Sequence, residues 1–135
     1  ILFHHSQQTN RILNYNAIRA LPDSMGSMTK LSYFEMTVSK LKTFPDTFAA
    51  GSLANSLKWM RISEDSNLTS LPSNFGSLTS LTYLQLGGSS DLYSPMNKLP
   101  DSFVNLKNLN TFSIGYNYFS SIPSVVTQLP SLVSL

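Results

Sequence analysis

A five-residue phrase recurs along this chain: LPDSM at 21–25, FPDTF at 44–48, LPSNF at 71–75, LPDSF at 99–103 and IPSVV at 122–126. Its prolines, Pro22, Pro45, Pro72, Pro100 and Pro123, lie 23, 27, 28 and 23 residues apart, so the basic unit has 23 residues and two copies are lengthened. A unit this short cannot bury its own apolar face and must stack on its neighbours. The period therefore replaces the ordinary expectation for 135 residues, one globule around one centre, with a solenoid whose core runs continuously from coil to coil.

Two apolar rhythms run inside each unit. Phe34/Met36, Met60/Ile62, Leu84/Leu86 and Phe112/Ile114 alternate with polar residues, which predicts short strands with one buried face. Ahead of them, apolar residues recur every third position, as at Met25, Met28 and Leu31 or Leu78, Leu81 and Leu84, and face the same interior from the descending side. Stacking sets the strands beside one another in a parallel sheet.

The copy beginning at Leu99 shows the whole pattern: LP, Phe103, Leu106, Leu109, Phe112, Ile114, Asn117, Phe119, and Ile122-Pro123 opening the next copy. The chain resembles the leucine-rich repeat family in the form LPxxFxxLxxLxxLxLxxNxLxxLP, over residues 13–135. The resemblance implies an α/β leucine-rich repeat solenoid, a right-handed β-α superhelix. Its parallel β-sheet lines the concave face, and short helical or 3-10 turns form the convex face. The family's Asn falls at Asn16 and Asn117, where its side chain would satisfy backbone groups in the turn after the strand. Ser39 and Asp65 stand there in the second and third copies, and such departures are expected to leave the turn less well specified.

Residues 1–12 read as a degenerate repeat or a differently folded lead-in, because the positions that would carry core there, Arg11, Gln8 and His5, are polar. Residues 13–135 make about five repeats, the last incomplete, and the absence of an initiator methionine is read as a piece of a larger protein. Insertions are local. AAGSLANSL adds three residues on the convex side of one copy, and GGSSDLYSPMNK adds five between Leu86 and Leu99. Such insertions map to loops, either carrying specificity or drifting neutrally.

Composition narrows the function classes. Apolar residues make up 41% of the chain, enough for a real core, whereas charged residues are only 12%, about half the usual share. Net charge is +2 and the nine basic residues are scattered from Arg11 to Lys107, so no nucleic-acid footprint forms. There is no cysteine, hence no disulfide, thiol chemistry or cysteine-zinc site. No long apolar run suggests direct membrane insertion.

Candidate chemistry is sparse. Asp23, Asp46 and Asp101 follow the LP phrase, with Ser73 and Ser124 in the same slot, and read as short acceptors capping free N–H groups of the convex turn rather than as acid/base carboxylates. His4 and His5 are adjacent, so their side chains diverge, and no third ligand lies nearby in sequence to make a metal site. Gly87-Gly88 follow a strand, but GGSSDL has neither Walker nor dinucleotide spacing. No nucleophile with a positioned base can be assembled, so no enzyme and no cofactor is expected. Asn67-Leu68-Thr69 is an N-glycosylation triplet, no more than chance supplies in a chain so rich in Ser, Thr and Asn.

Aligning the strands yields the outward side chains of the sheet, which in the resembled family form the usual binding surface. Tyr33, Trp59 and Tyr83 should make one aromatic row across three strands about 4.8 Å apart, flanked in register by Asn10 and Thr111. Glu35, Arg61 and Gln85 make a polar row beside it, followed by Asn14, Thr37, Ser63, Gly87 and Gly115, then Tyr15, Val38, Glu64, Gly88 and Tyr116. Aromatic area beside a convergent polar edge is the composition of interface hot spots and also suits a stacked sugar ring. Tyr33, Glu35, Trp59, Arg61, Tyr83 and Gln85 are thus the expected partner-binding residues, with a protein or glycan as partner. The rival reading is structural: rings that merely shield the sheet, in a solenoid whose copies stack end to end. Low charge with abundant Ser, Thr and Asn resembles extracellular or cell-surface repeat proteins more than cytoplasmic ones.

Overall fold

The computed structural model describes residues 9–135. His4, His5 and Gln8 lie outside the described residues, as does most of the expected lead-in. Five short strands, β1 (Asn10–Ile12), β2 (Tyr33–Thr37), β3 (Trp59–Ser63), β4 (Tyr83–Gly87) and β5 (Thr111–Ser113), form one sheet in sequence order. Every neighbouring pair is parallel. β1 pairs with β2 in the same register as the later strands, Asn10 against Tyr33, so the sheet already begins ahead of Leu13. After β5 the chain touches the sheet once more through a parallel bridge between Thr111 and Ser134.

The coil shape follows from the two apolar rhythms. Phe34, Met36, Met60, Ile62, Leu84, Leu86 and Phe112 point inward from the strands and are buried, with Ile114 half-buried. The period-three residues meet them from the other side: Met25, Met28 and Leu31; Phe75, Leu78 and Leu81; Phe103, Leu106 and Leu109. Phenylalanines pack both between and within coils: Phe75 stacks on Phe103 of the next coil at 6.2 Å, and Phe103 lies tilted against Phe112 of its own coil at 5.0 Å. Burying one such side chain contributes roughly 1.5–3 kcal/mol, so cohesion is spread over every coil.

On the convex side each LP phrase opens a tight 3-10 turn: Asp23–Ser27, Asp46–Ala49, Phe75–Ser77 and Asp101–Asn105, with one short α-helix, α1 (Ser124–Thr127), in the last copy. The coils approach so closely there that a methyl group on Gly76 would come 1.7 Å from the Ser102 carbonyl oxygen.

Three expectations need correcting. The aspartates do not cap these turns. Pro22, Pro45 and Pro100 take the cap position and no side chain bonds there, so Asp23, Asp46 and Asp101 sit inside the first turn, where a carboxylate still suits the positive helix end. Asp23 instead accepts from the Thr47 hydroxyl of the next coil at 3.4 Å.

The second correction concerns Ser39 and Asp65, which do not loosen their turns. Asp65 is buried and accepts hydrogen bonds from the Ser39 hydroxyl, the Leu41 N–H at 2.9 Å and the Asn67 N–H at 3.0 Å. At the matching place Asn117 donates through Nδ2 to the carbonyls of Leu86 and Ile114 at 2.9 and 2.8 Å. The location is shared, but the hydrogen-bond polarity is opposite.

The third concerns AAGSLANSL, which is more than a loop. It supplies an extra 3-10 turn at Ser52–Asn55 that buries Leu53 and Ala54.

Just after the strands the backbone turns a corner through the left-handed region at Tyr15, Val38, Glu64 and Tyr116, with φ between 52° and 57°. L-residues adopt it at a cost, highest for β-branched Val38. The one glycine in this alignment, Gly88, lies outside that region, because the long insertion begins there.

Candidate functional site: the concave aromatic strip

Strand register brings the expected residues together. Tyr33 pairs with Trp59 and Trp59 with Tyr83; Glu35 pairs with Arg61 and Arg61 with Gln85. All six are half-buried, as outward residues of a concave sheet should be. The aromatic row is a continuous stack: Tyr33 lies 4.1 Å from Trp59 with an interplanar angle of 4°, and Trp59 lies 4.8 Å from Tyr83 at 5°. Strand spacing of about 4.8 Å is close to ring-stacking distance, so in-register aromatics on adjacent parallel strands fall naturally into this arrangement.

Each phenol reaches along its own strand to the polar row. Tyr33 donates to Glu35 Oε2 at 2.7 Å and Tyr83 donates to Gln85 Oε1 at 3.1 Å. The other Glu35 oxygen accepts from Asn14 Nδ2 at 3.0 Å, and Arg61 Nη1 stands 3.6 Å from it. Asn14 is itself fixed, since its Oδ1 accepts the Thr37 N–H at 2.9 Å. Hydrogen bonding from Tyr33 holds the Glu35 carboxyl below its usual range, aided by Asn14 and the Arg61 charge and opposed by burial. Burial, together with the bond to Glu35 and its negative charge, pushes Tyr33 up to about 12.

Asn14 belongs to the site although sequence reasoning placed it only in the neighbouring row. Its register position was readable, but the bond was not, because it needs the side chain's direction. A second group was missed outright. Tyr93, from the long insertion, meets Tyr116 edge-on at 5.7 Å and Tyr118 at 5.9 Å, and all three are exposed. The insertion is held in place by Ser94 N–H donating to Tyr116 O and Tyr118 N–H donating to Met96 O, both at 3.0 Å, with Met96 buried. Asn67 is half-exposed and its Nδ2 donates to Ser66 Oγ at 3.2 Å.

Among the described residues no three His, Cys, Asp or Glu side chains are grouped to hold a metal ion, and no helix is long and apolar enough to cross a membrane. A cavity of about 470 Å³ opens at the LP corners, beside Leu71, Leu99 and Pro100, and not on the strip.

Comparison with solved structures gives the leucine-rich repeat domain of the type III effector XopL, superposing over 96% of this chain with a TM-score of 0.83 at 24% sequence identity. This fold is that of a leucine-rich repeat domain. The chain spans 44% of the length of that effector chain. No protein-family profile matches the sequence, and no curated protein does. The leucine-rich repeat assignment thus rests on the repeat, the parallel sheet and the structural likeness together.

Proposed function

We propose that this leucine-rich repeat segment is a non-enzymatic recognition module that binds a protein partner through the Tyr33–Trp59–Tyr83 strip. The observation that carries the reading is the strip itself: three rings in continuous stack beside a polar row whose acceptors, on Glu35 and Gln85, are tied down before any partner arrives. Pre-organised aromatic area is the kind of surface that contributes most binding energy per residue, since little side-chain freedom remains to be lost. Mutual stacking closes both faces of Trp59 and one face each of Tyr33 and Tyr83, so a partner meets mainly ring edges, which suits the side chains of a protein better than a stacked sugar ring. Low charge with abundant Ser, Thr and Asn supports a secreted or cell-surface setting.

A random peptide display library selected against the protein supplies the probe. Peptides so obtained should bind the wild type, and Tyr33→Ala with Trp59→Ala should weaken them about 30-fold or more, the loss of a hot spot of at least about 2 kcal/mol. Unchanged affinity in the double variant would show that the strip is only a shield. Growth of scattering with concentration in the peptide-free protein would instead favour end-to-end stacking of copies.

A further inference from the structure

The polar row of the strip is lopsided in its hydrogen bonding. Its acceptors are occupied: Glu35 takes Tyr33 on one oxygen and Asn14 on the other, and Gln85 Oε1 takes Tyr83. Its donors are not. Arg61 approaches Glu35 only to 3.6 Å, beyond a normal hydrogen bond, and its Nε is buried with no partner. Gln85 Nε2 makes no hydrogen bond among the described residues. Ser63, 1% exposed, carries a buried hydroxyl that is also without a partner.

These three residues are neighbours. Arg61 and Ser63 alternate on β3, so both leave the same face about 6.6 Å apart, and Gln85 sits directly across from Arg61 on β4. Leaving a buried donor unpaired costs about 1–3 kcal/mol, and two of them lie within one strand's reach of each other.

Resting on the strip reading above, we propose that Arg61, with Gln85 and Ser63 beside it, forms a carboxylate-binding notch, and that the partner segment lying on the strip carries an Asp or Glu side chain that fills it. Donors without open acceptors select an acceptor-only group, and a guanidinium pairs with a planar carboxylate through two parallel bonds. Glu35 sets the charge limit. Arg61 already shares its charge with Glu35 at 3.6 Å, so it can hold one further monoanionic carboxylate, whereas a dianionic phosphate would add a second charge against the Glu35 carboxylate on the adjacent strand. The aromatic edges then take the apolar residues that flank the acid.

The experiment uses the same random peptide display library. Selection on the wild type should enrich Asp or Glu at a fixed distance from an apolar residue, and changing that acid to its amide in a synthetic peptide should weaken binding about tenfold or more, as expected for a hydrogen-bonded charge. Arg61→Gln should bind acid and amide peptides equally, at the affinity of the wild type for the amide. Arg61→Lys keeps the charge and most of the volume but loses the fork, and should fall between; it also serves if Arg61→Gln does not fold. An unbiased selection, or an Arg61→Gln variant that still prefers the acid, would overturn the notch. If Trp59→Ala abolishes binding in that case, the strip survives and only the notch is lost. If Trp59→Ala leaves binding intact, or no peptide is enriched, both are lost.

Discussion

Glu35 is the residue around which the strip is organised. It receives Tyr33 and Asn14, stands beside Arg61, and links the aromatic row to the turn after β1 through Asn14. Burial, chiefly, raises Tyr33 and the Tyr33 hydrogen bond lowers Glu35, and the two shifts have opposite consequences for stability. Tyr33 holds its proton more tightly when folded, so its contribution is complete below the ordinary value near 10 and is lost as pH rises through about 12. Glu35 holds its proton less tightly when folded, so its contribution is present above the ordinary carboxylate range and is lost as pH falls through the lowered value. Of the six tyrosines, one should therefore ionise near 12 in a spectrophotometric titration. That step should disappear in Tyr33→Phe and move to lower pH in Glu35→Gln; a Tyr33 that ionises near 10 with Glu35 present would break the proposed coupling.

Between elements, the buried tie from Asp65 to Ser39 and Leu41 shows what the repeat consensus conveys and what it omits. Counting from Ile62 located Asp65 in the turn, because strand alternation fixes positions modulo two and the period fixes them along the coil. It did not reveal that the neighbouring groups are all donors, since that depends on how Ser39, one coil earlier, places its hydroxyl. Asp65→Asn should therefore destabilise the protein by about 1–3 kcal/mol despite restoring the consensus residue, because the amide nitrogen would face donors. A midpoint of chemical unfolding unchanged from the wild type would refute the tie. The strand register and the aromatic row were legible for the same reason as the position of Asp65. The capping of the convex turns was misread because Pro22, Pro45 and Pro100 already hold the cap position in extended backbone, which leaves the following aspartates inside the turn. The tyrosine cluster at Tyr93, Tyr116 and Tyr118 was invisible because an insertion has no period to anchor its path.

For the whole molecule, stacking of coils creates both the core and the surface: the same 23-residue rhythm that buries Phe34, Met60, Leu84 and Phe112 sets Tyr33, Trp59 and Tyr83 side by side on the outside. The chain contains a single tryptophan, and it is the central ring of the strip. Its emission therefore reports on the site without labelling. Titrating the wild type with a display-selected peptide that lacks Trp should change the intensity or wavelength of Trp59 emission along a saturating curve, with a midpoint equal to the dissociation constant measured independently. Saturable binding with Trp59 emission unaltered would place the partner elsewhere and contradict the concave strip as the recognition surface.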